Sequence, residues 1–258
     1  MRRRFIADTF SPANGHPTRA SLTGEQAEHL ARVLRAQPGQ IFDVVANGFL
    51  HRAEITEVRA ASNREDAEVR FTLHEELASG AALPIHLLLA VFKFDHFEWA
   101  IEKATELGVA RITPILARRT EKHLALAALK RAERWRRIAL ESAKQSRRSD
   151  VPDVLGPTPL PAALARESAT TRILLSEAEQ SLTLAAALQR ASFNLQPATD
   201  NLQLALAIGP EGGWAQEEIS LFTQHAWTPV TLGPRILRAE TAAIAAIAIA
   251  SAALPTSN

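Results

Sequence analysis

The chain has 258 residues and a formal net charge of +1, with 47% hydrophobic and 22% charged residues, a balance typical of a soluble globular protein. Cysteine is absent, which excludes disulfides, thiolate metal sites and cysteine nucleophiles and fits a reducing cytoplasm. The most apolar run, residues 242–254, is shorter than the ~20 residues that a membrane-spanning helix needs, so no membrane span is predicted.

Residues 1–76 predict a small, mostly β module of the barrel type. Phe42–Ala46 is a strand-like apolar run, and Asn47-Gly48 directly after it is a signal for a tight hairpin turn. Gln26–Leu34 has the pattern of a short helix. The stretch Leu77–Pro84 is the best linker candidate, because it is rich in small residues, contains glycine and ends in proline.

Residues 84–254 predict a second domain in which strands alternate with helices, as in a mostly parallel sheet with helices on both sides. Ile85–Phe92 is a continuous apolar run, typical of a strand that is buried on both faces. Asp95 and Glu98 resemble a capping box at the start of the helix that follows. The other strands are predicted at Ile112–Leu116, Ile173–Ser176, Leu204–Ile208 and Pro229–Leu232, and the other helices at Lys130–Ser146, Ala215–His225 and Ala239–Ala253.

A strongly basic segment lies within this second domain. Residues 111–148 contain 12 Lys and Arg against 3 Glu, a local balance of +9. Clustered arginine favours a partner with a phosphate backbone, and the alternative is an ordinary solvated helix face. The preferred phosphate contacts of this segment are Arg134, Arg136, Arg137, Arg147 and Arg148. Arg2, Arg3 and Arg4 are the corresponding candidates in the first module, with a disordered basic start as the alternative. Trp135 is interpreted as a core residue, with a base-stacking platform as the alternative.

Two short segments near the C-terminus indicate a ligand site: IGPEGGW at Ile208–Trp214 and LGPRILRAETAA at Leu232–Ala243. Each follows a strand-like run and leads into a helix-like run, so that two glycine-bearing turns lie at the ends of neighbouring strands. Small ligands bind at such positions in open α/β sheets. Glycine lets the backbone approach a ligand without a clash at Cβ. The plainer alternative is a pair of ordinary strand-to-helix turns.

Common catalytic motifs are missing from the sequence. There is no H-E-x-x-H pair, so a zinc site is not predicted, and there is no P-loop, nucleophile elbow or G-x-G-x-x-G turn. The usual markers of nucleoside triphosphate binding, serine hydrolysis and dinucleotide binding are therefore absent. What remains is a pocket lined by backbone loops, with arginines and carboxylates close by.

These C-terminal segments resemble the cofactor-binding motifs of the SPOUT class of RNA methyltransferases. Over nearly its full length, the chain resembles the 16S ribosomal RNA (uracil-N3) methyltransferase family. The matching segments are RRRFIAD at 2–8, HLARVLRAQPGQ at 29–40, KFDHFEWAIEKATELGVARITPILARRT at 93–120 and RWRRIALESAKQSRRSDVP at 134–152. One departure is KQSRR at Lys144–Arg148, where relatives typically have glutamate-glutamine-serine-glycine-arginine. This departure makes the segment more basic.

The resemblance implies an architecture and a reaction. Residues 1–76 would form a PUA-like RNA-binding β-barrel, and residues 84–254 a SPOUT domain with a deep trefoil knot, in an α/β protein that forms a homodimer. The implied reaction transfers a methyl group from S-adenosylmethionine to N3 of one uridine in the decoding region of 16S rRNA. The implied setting is the cytoplasm, with the rRNA in the 30S subunit, without a membrane partner and without a metal.

Residue roles follow from the same resemblance. Arg238 is the favoured stabiliser of charge that develops on the uracil, and Glu211 is a candidate base or orienting group. The residues implied in cofactor binding are Leu175, Ser176, Gly209, Pro210, Gly212, Gly213, Leu232, Gly233, Ile236, Leu237, Glu240 and Ala242.

Alternatives stand beside these assignments. Glu211 could cap the helix that follows it, and Glu240 could serve the dipole of the last helix. Arg238 could bind phosphate, as could Arg235. The apolar members of the set could be plain core; these are Leu232, Ile236 and Leu237. The rival functions are methylation of another RNA position, a non-catalytic RNA-binding protein of ribosome assembly, and a phosphometabolite enzyme.

Overall fold

The computed structural model of the chain describes residues 4–12, 18–61, 66–77, 82–146, 148–191 and 203–254. The chain divides into two compact units. Unit 1 comprises Met1–Ala81 with Ala143–Asp150, and unit 2 comprises Ala82–Ser142 with Val151–Asn258. The grouping of residues 143–150 with unit 1 is a feature that the sequence pattern does not indicate.

Unit 1 contains a six-stranded, mostly antiparallel sheet with the order β1-β4-β5-β6-β3-β2, in which only the β1–β4 pair is parallel. Asn47 and Gly48 both have positive φ, 51° and 82°, which is the backbone of a type I′ hairpin between β4 and β5. The predicted hairpin is therefore confirmed. The strands are β1 Arg4–Ile6, β2 Thr9–Ser11, β3 Arg19–Thr23, β4 Ile41–Ala46, β5 Phe49–Arg59 and β6 Glu68–Leu77.

The core of unit 1 lies on one face of this sheet. Alternating residues of the long strands point inward, among them Ala53 and Ile55 of β5 and Val69 and Phe71 of β6. The predicted short helix consists of α1, Gly24–Glu28, and a π-helical turn, His29–Val33. Its buried residues, Ala27 and Leu30, belong to the same core.

Unit 2 contains a parallel sheet with the order β10-β8-β7-β12-β11-β13, and β9 pairs with β8. Every strand pair in it is parallel, as the alternation of strands and helices predicts. The mixed α/β class with a preceding β module is therefore confirmed. The strands are β7 Leu83–Ala90, β8 Val109–Leu116, β9 Asp153–Val154, β10 Thr158–Pro159, β11 Thr171–Leu175, β12 Leu204–Ile208 and β13 Thr228–Val230.

Both faces of the parallel sheet are covered. Leu87 and Leu206 belong to one core cluster together with residues of α2 and α7, whereas Leu88 and Ala207 belong to the cluster on the opposite face. The helices are α2 Phe94–Glu106, α3 Lys122–Ser146, α4 Leu160–Arg166, α5 Leu184–Arg190, α6 Gln216–Gln224 and α7 Ala239–Ala253. Among the helices of the described ranges, none is long and apolar enough to cross a membrane.

Helix α3 differs from its predicted bounds. It begins at Lys122 and not near Lys130. The prediction missed the first two turns because they expose Leu126 and Leu129, which are 79% and 67% accessible. Apolar residues on the exposed side weaken the 3.6-residue periodicity on which the prediction depends. Trp135 is fully buried and packs against Phe97 with ring centroids 4.7 Å apart, so it is a core residue.

The predicted capping box of Asp95 and Glu98 is wrong. Helix α2 begins at Phe94, after Lys93, and has no side-chain cap. Glu98 faces α3, where it accepts hydrogen bonds from the guanidinium groups of Arg131 and Arg134 at 2.8–2.9 Å. Burial alone would raise the pKa of Glu98, but these two arginines outweigh it and lower the pKa.

A buried polar cluster connects β7, β8 and the segment after α4. His86 Nδ1 lies 2.6 Å from Glu167 Oε2, and His86 Nε2 lies 2.7 Å from Thr113 Oγ1. The other carboxylate oxygen of Glu167 accepts the Ala169 N–H at 2.8 Å. Burial alone would raise the pKa of Glu167, but the hydrogen bond and charge of His86 and the backbone N–H groups lower it. The cluster therefore satisfies a carboxylate whose side chain is only 1% exposed.

Candidate functional site

The loops that follow β11, β12 and β13 lie at one edge of the parallel sheet. β11 pairs with both neighbours, so that Leu174 is in register with Ala207 and Pro229. Because all three strands run in the same direction, the loops at residues 176–183, 209–215 and 231–238 emerge side by side. We call this arrangement the three-loop edge. Most of the residues predicted to bind a cofactor lie in it or in the adjoining ends of β11 and α7.

Backbone hydrogen bonds join the first of these loops to the third. The Ser176 N–H donates to the Val230 carbonyl at 3.0 Å, and the Thr231 N–H donates to the Leu182 carbonyl at 2.9 Å. The Leu184 N–H in turn donates to the Thr231 carbonyl at 3.0 Å. The two loops are therefore held as one surface before any ligand binds, which lowers the entropic cost of binding.

The first loop is also fixed from within by a carboxylate. Glu179 Oε1 accepts hydrogen bonds from the Ser181 hydroxyl at 2.6 Å and from the N–H groups of Ser181 and Leu182 at 2.8 and 2.9 Å. The Ser181 hydroxyl and these amides lower the pKa of Glu179 to about 2. The loop therefore contains a carboxylate that stays charged in mild acid.

The glycine-rich loop, residues 209–215, contains a tight turn. The Gly213 N–H donates to the Pro210 carbonyl at 2.8 Å, and Gly213 has a φ of +69°, which disfavours a side chain. A Cβ at Gly209 would lie 3.1 Å from Nε1 of the buried Trp214, so this position is packed against the loop's own indole. Glu211 and Gly212 are exposed at the tip of the turn.

Two contacts attach the glycine-rich loop to the loop after β8. The buried carboxylate of Glu218, in the first turn of α6, accepts the Arg118 N–H at 2.8 Å and the Ala215 N–H at 2.9 Å. Arg119 Nη1 donates to the Gly212 carbonyl at 2.6 Å. The sequence pattern predicted neither contact, because the partners lie about a hundred residues apart in the chain.

The third loop, residues 231–238, combines an open backbone with exposed apolar side chains. Gly233 has a φ of +115°, and within the described ranges no atom lies within 4 Å of the position of a Cβ there. Ile236 is 81% exposed, while Leu232 and Leu237 are half-buried. An exposed isoleucine beside an open glycine suits a ligand with an apolar face.

The start of α7 closes this loop. Arg238 immediately precedes the helix, is exposed, and its carbonyl accepts the Ala242 N–H at 2.8 Å. Glu240 is buried in the first turn of α7, and its Oε1 lies 3.3 Å from Nδ1 of His96 in the first turn of α2. Glu240 therefore faces the protein interior, whereas Arg238 remains accessible.

A cavity of about 140 Å³ adjoins the glycine-rich loop on the side away from β11. Its walls come from the segments that follow β7, β8 and β12, so it too lies at the carboxyl ends of parallel strands. The lining includes two cations and two carboxylates, Lys93, Arg119, Glu121 and Glu211. Of these, the sequence pattern singled out only Glu211. The rule that ligands bind at strand ends would also have pointed to Lys93, which follows β7.

The predicted RNA contacts have different surroundings. Arg134 donates two hydrogen bonds to Glu98, and Arg136 donates to the Val154 carbonyl and to Glu133. Arg148 is paired with Asp150. Arg137 is exposed on α3, and Arg4 is half-buried in β1. Arg2, Arg3 and Arg147 lie outside the described residues. Within the described ranges, no group of three or more potential metal-ligating side chains occurs.

Comparison with known protein families gives two matches. Residues 79–251 match the family model described as an RNA methyltransferase domain. Residues 22–60 match the model described as an RNA methyltransferase PUA domain. The matches fall on the parts of the chain that contain the parallel sheet and the antiparallel sheet, respectively.

Individual relatives cover nearly the whole chain. The ribosomal RNA small subunit methyltransferase E of Synechocystis is 35% identical over 237 residues, 91% of this chain and 73% of the relative. That of Bacillus subtilis is 32% identical and covers 97% of this chain and 96% of the relative.

Solved structures give the same picture. A putative methyltransferase from Legionella pneumophila, in complex with the bound cofactor SAM, has a TM-score of 0.75, 28% identity and 98% coverage of both chains. The ribosomal RNA small subunit methyltransferase E of Neisseria gonorrhoeae, bound to S-adenosyl methionine, has a TM-score of 0.69, 27% identity and 96% coverage of both chains.

Proposed function

The chain belongs to the ribosomal RNA small subunit methyltransferase E family, and on that basis we propose that it transfers a methyl group from S-adenosylmethionine to N3 of a uridine in 16S rRNA. The relatives from Legionella and Neisseria, solved with this cofactor, support the choice of methyl donor. The choice of uridine N3 in the decoding region is what the resemblance to the 16S ribosomal RNA (uracil-N3) methyltransferase family implies.

One observation carries the proposal: three loops from adjacent parallel strands meet at one edge and leave an open glycine beside exposed apolar side chains. The residues present fit S-adenosylmethionine, whose adenine needs an apolar wall and whose polar groups need main-chain partners. Ile236, Leu232 and Leu237 would supply the wall, with Gly233 allowing close approach. Main-chain partners would come from Gly212 and from the carbonyl groups of Gly213 and Ser176, because the N–H groups of the latter two already donate within the protein.

The chemical task of the protein side chains is to make N3 of the uracil nucleophilic. When bound, S-adenosylmethionine supplies a methyl group already activated by its sulfonium. Glu211, exposed at the tip of the glycine-rich loop, would accept the N3 proton as general base. Arg238, accessible at the start of α7, would stabilise the negative charge that spreads over the uracil ring. Holding donor and acceptor in one orientation supplies the remainder of the rate enhancement.

Base accessibility sets a further requirement. N3 lies on the pairing edge of uracil, so the target base must leave any stack or pair before it reacts. We propose that unit 1 and the basic face of α3 hold the surrounding RNA, with Arg137 as an accessible contact, and that the substrate is rRNA within the 30S subunit. We also propose that the protein forms a homodimer and acts in the cytoplasm.

Nucleoside mass spectrometry of 16S rRNA from cells with and without this gene tests the reaction. We expect 3-methyluridine to disappear from the decoding region in the deletion strain and to return with the wild-type chain. The purified protein should also transfer a labelled methyl group from S-adenosylmethionine to 30S subunits of the deletion strain. Unchanged 3-methyluridine would refute the assignment to uridine N3. Light scattering of the purified chain tests the dimer.

A further inference from the structure

We propose that the cavity beside the glycine-rich loop is the pocket for the acceptor base, and that its lining selects uracil over cytosine. The proposal deepens the function above and rests on it. The cavity is lined by the segments after β7, β8 and β12, all within unit 2. It shares the loop after β12 with the three-loop edge, which also includes the loops after β11 and β13.

The position of the cavity places it next to the proposed donor site. Pro210, Glu211 and Gly212 line it, and they belong to the loop that also borders the three-loop edge. β12 lies between β7 and β11 in the sheet, so its following loop has the cavity on one side and the three-loop edge on the other. A methyl acceptor must lie close to the donor, and the shared loop places the two proposed sites next to each other.

The size of the cavity limits its occupant. Its volume of about 140 Å³ is well below the ~300–1,000 Å³ of a pocket for a drug-sized ligand. A single pyrimidine ring extruded from an RNA strand therefore suits it better than a whole nucleoside cofactor. Extruded bases are held in small pockets of this type by contacts to their pairing edge.

The chemistry of the lining matches the pairing edge of uracil. That edge presents an acceptor, a donor and an acceptor: O2, N3–H and O4. Glu211 can accept the N3–H, while Lys93 and Arg119 can donate to the carbonyl oxygens. Cytosine has no hydrogen on N3 and carries an amino donor in place of O4, so it would set an N3 lone pair against the Glu211 carboxylate. The contact of Glu211 with N3 therefore favours uracil.

Contacts among the walls hold the cavity in shape. Arg119 is fixed by its hydrogen bond to the Gly212 carbonyl, which leaves its other N–H groups available for a ligand. The Thr120 hydroxyl donates to the Val91 carbonyl at 3.0 Å, which joins the segments after β7 and β8. Lys93 is exposed. It is therefore accessible to an incoming base.

Titration of the full-length protein with mononucleotides tests the proposal. With S-adenosylhomocysteine present, uridine 5′-monophosphate should bind about tenfold more tightly than cytidine 5′-monophosphate, as measured by NMR shift titration. Lys93→Gln should weaken the uridine nucleotide about tenfold. The matched control is Lys122→Gln, which removes an exposed lysine that does not line the cavity and should leave the affinity within about twofold.

A second variant tests the volume of the pocket. Leu124→Phe should fill part of the cavity and weaken the uridine nucleotide, while the affinity for S-adenosylmethionine, measured by calorimetry, stays within about twofold. The assignment of this cavity to the acceptor base would be refuted by equal binding of the two nucleotides, even if the protein methylates uridine. It would also be refuted if neither Lys93→Gln nor Leu124→Phe changed the affinity for the uridine nucleotide. Selective, Lys93-dependent binding would support the pocket even if the modified nucleotide in 16S rRNA proved to be another one.

Discussion

Arg238 is the side chain on which the proposed chemistry most depends, since it is accessible directly before α7. If it stabilises charge that develops during the reaction, Arg238→Ala should lower kcat about a hundredfold or more. The dissociation constant of S-adenosylmethionine should change much less, because the charge is absent in the ground state. Steady-state kinetics and calorimetry measure the two effects.

The control for this variant is Arg235→Ala, an exposed arginine three positions earlier in the same loop. Its kcat should stay within about threefold of the wild type. An equal loss of turnover and cofactor affinity in Arg238→Ala would show that this residue binds the cofactor and does not act in catalysis.

Glu218 holds the glycine-rich loop through two backbone hydrogen bonds from Arg118 and Ala215. Glu218→Ala would leave both N–H groups without their acceptor, so the free energy of unfolding should fall by about 2–3 kcal/mol. The affinity for S-adenosylmethionine should fall with it, because the loop loses its anchor. Urea denaturation and calorimetry provide the measurements. Glu217→Ala, at the exposed neighbouring position, is the control, and a loss of similar size there would contradict the anchoring role.

At the scale of single residues, the sequence identified those whose role depends on backbone freedom. Gly213 and Gly233 do have positive φ, and the motif around them predicted a turn. It could not identify Arg119 or Glu218, because each acts through a partner distant in the chain. Such contacts follow from the strand order, which local patterns do not encode.

The loop after β11 contains a pH-dependent element. Glu179 has a pKa of about 2, below its ordinary value of 4.5, because the Ser181 hydroxyl and the loop amides hydrogen-bond its charged form. A lowered pKa means that the loop is stabilised at every pH above about 4.5, and that this stabilisation is lost as the pH falls through about 2. Carbon-detected NMR should give a pKa of about 2 for Glu179 in the wild type. In Ser181→Ala the pKa should rise toward 4.5, because the hydroxyl that stabilises the charged form is lost. A wild-type midpoint at the ordinary value would contradict the loop geometry.

Helix α3 combines two kinds of arginine on one basic segment. Arg134 is bound to Glu98, so Arg134→Ala should lower the melting temperature of the protein, as measured by thermal denaturation. Arg137 is exposed, so Arg137→Ala should leave stability unchanged. It should instead lower the slope of log RNA affinity against log salt by roughly 0.7–0.9. The pair serve as controls for each other, and a reversed pattern would show that the structural and RNA-binding roles are exchanged.

Among whole elements, the long and strongly patterned ones were predictable. β12 and α7 have the predicted bounds, because each is a continuous apolar or small-residue run between clear turn residues. β9 and β10, with two residues each, contain too few positions to show a period. Helices α4 and α5 are seven residues long, below the length at which periodicity decides between helix and strand.

At the scale of the whole molecule, the buried cluster of His86, Thr113 and Glu167 contributes to the stability of unit 2. Glu167→Gln would weaken a buried charged hydrogen bond and should lower the free energy of unfolding by about 2–3 kcal/mol near pH 7. Since the pKa of Glu167 is lowered, the wild-type advantage is present above the ordinary pKa and is lost as the pH falls through the lowered one. The difference between the two proteins should therefore shrink in acid.

Urea denaturation at several pH values measures this difference. Glu177→Gln, at an exposed position, is the matched control and should behave as the wild type at every pH. If Glu167→Gln proved as stable as the wild type near neutrality, the cluster would not contribute to the stability of unit 2.

The fold class could be predicted from the sequence because its two parts have different periodicities. Alternating strands around Asn47-Gly48 indicate an antiparallel sheet, whereas long apolar strands separated by helices indicate a parallel one. The deep trefoil knot implied by the resemblance stays a prediction. Threading of a chain through a loop leaves no local pattern in composition or spacing, and knots are rare in proteins.

The glycine-rich loop after β12 lines the cavity and also belongs to the three-loop edge. On the two sites proposed above, a bisubstrate compound that joins an adenosyl group to a pyrimidine by a short linker around this loop would occupy both sites at once. The second fragment would then bind at an effective concentration in the millimolar range, and the joined compound would bind more tightly than either fragment by a factor on the order of 10²–10⁴. The two proposed sites would thus let one tethered ligand inhibit the protein.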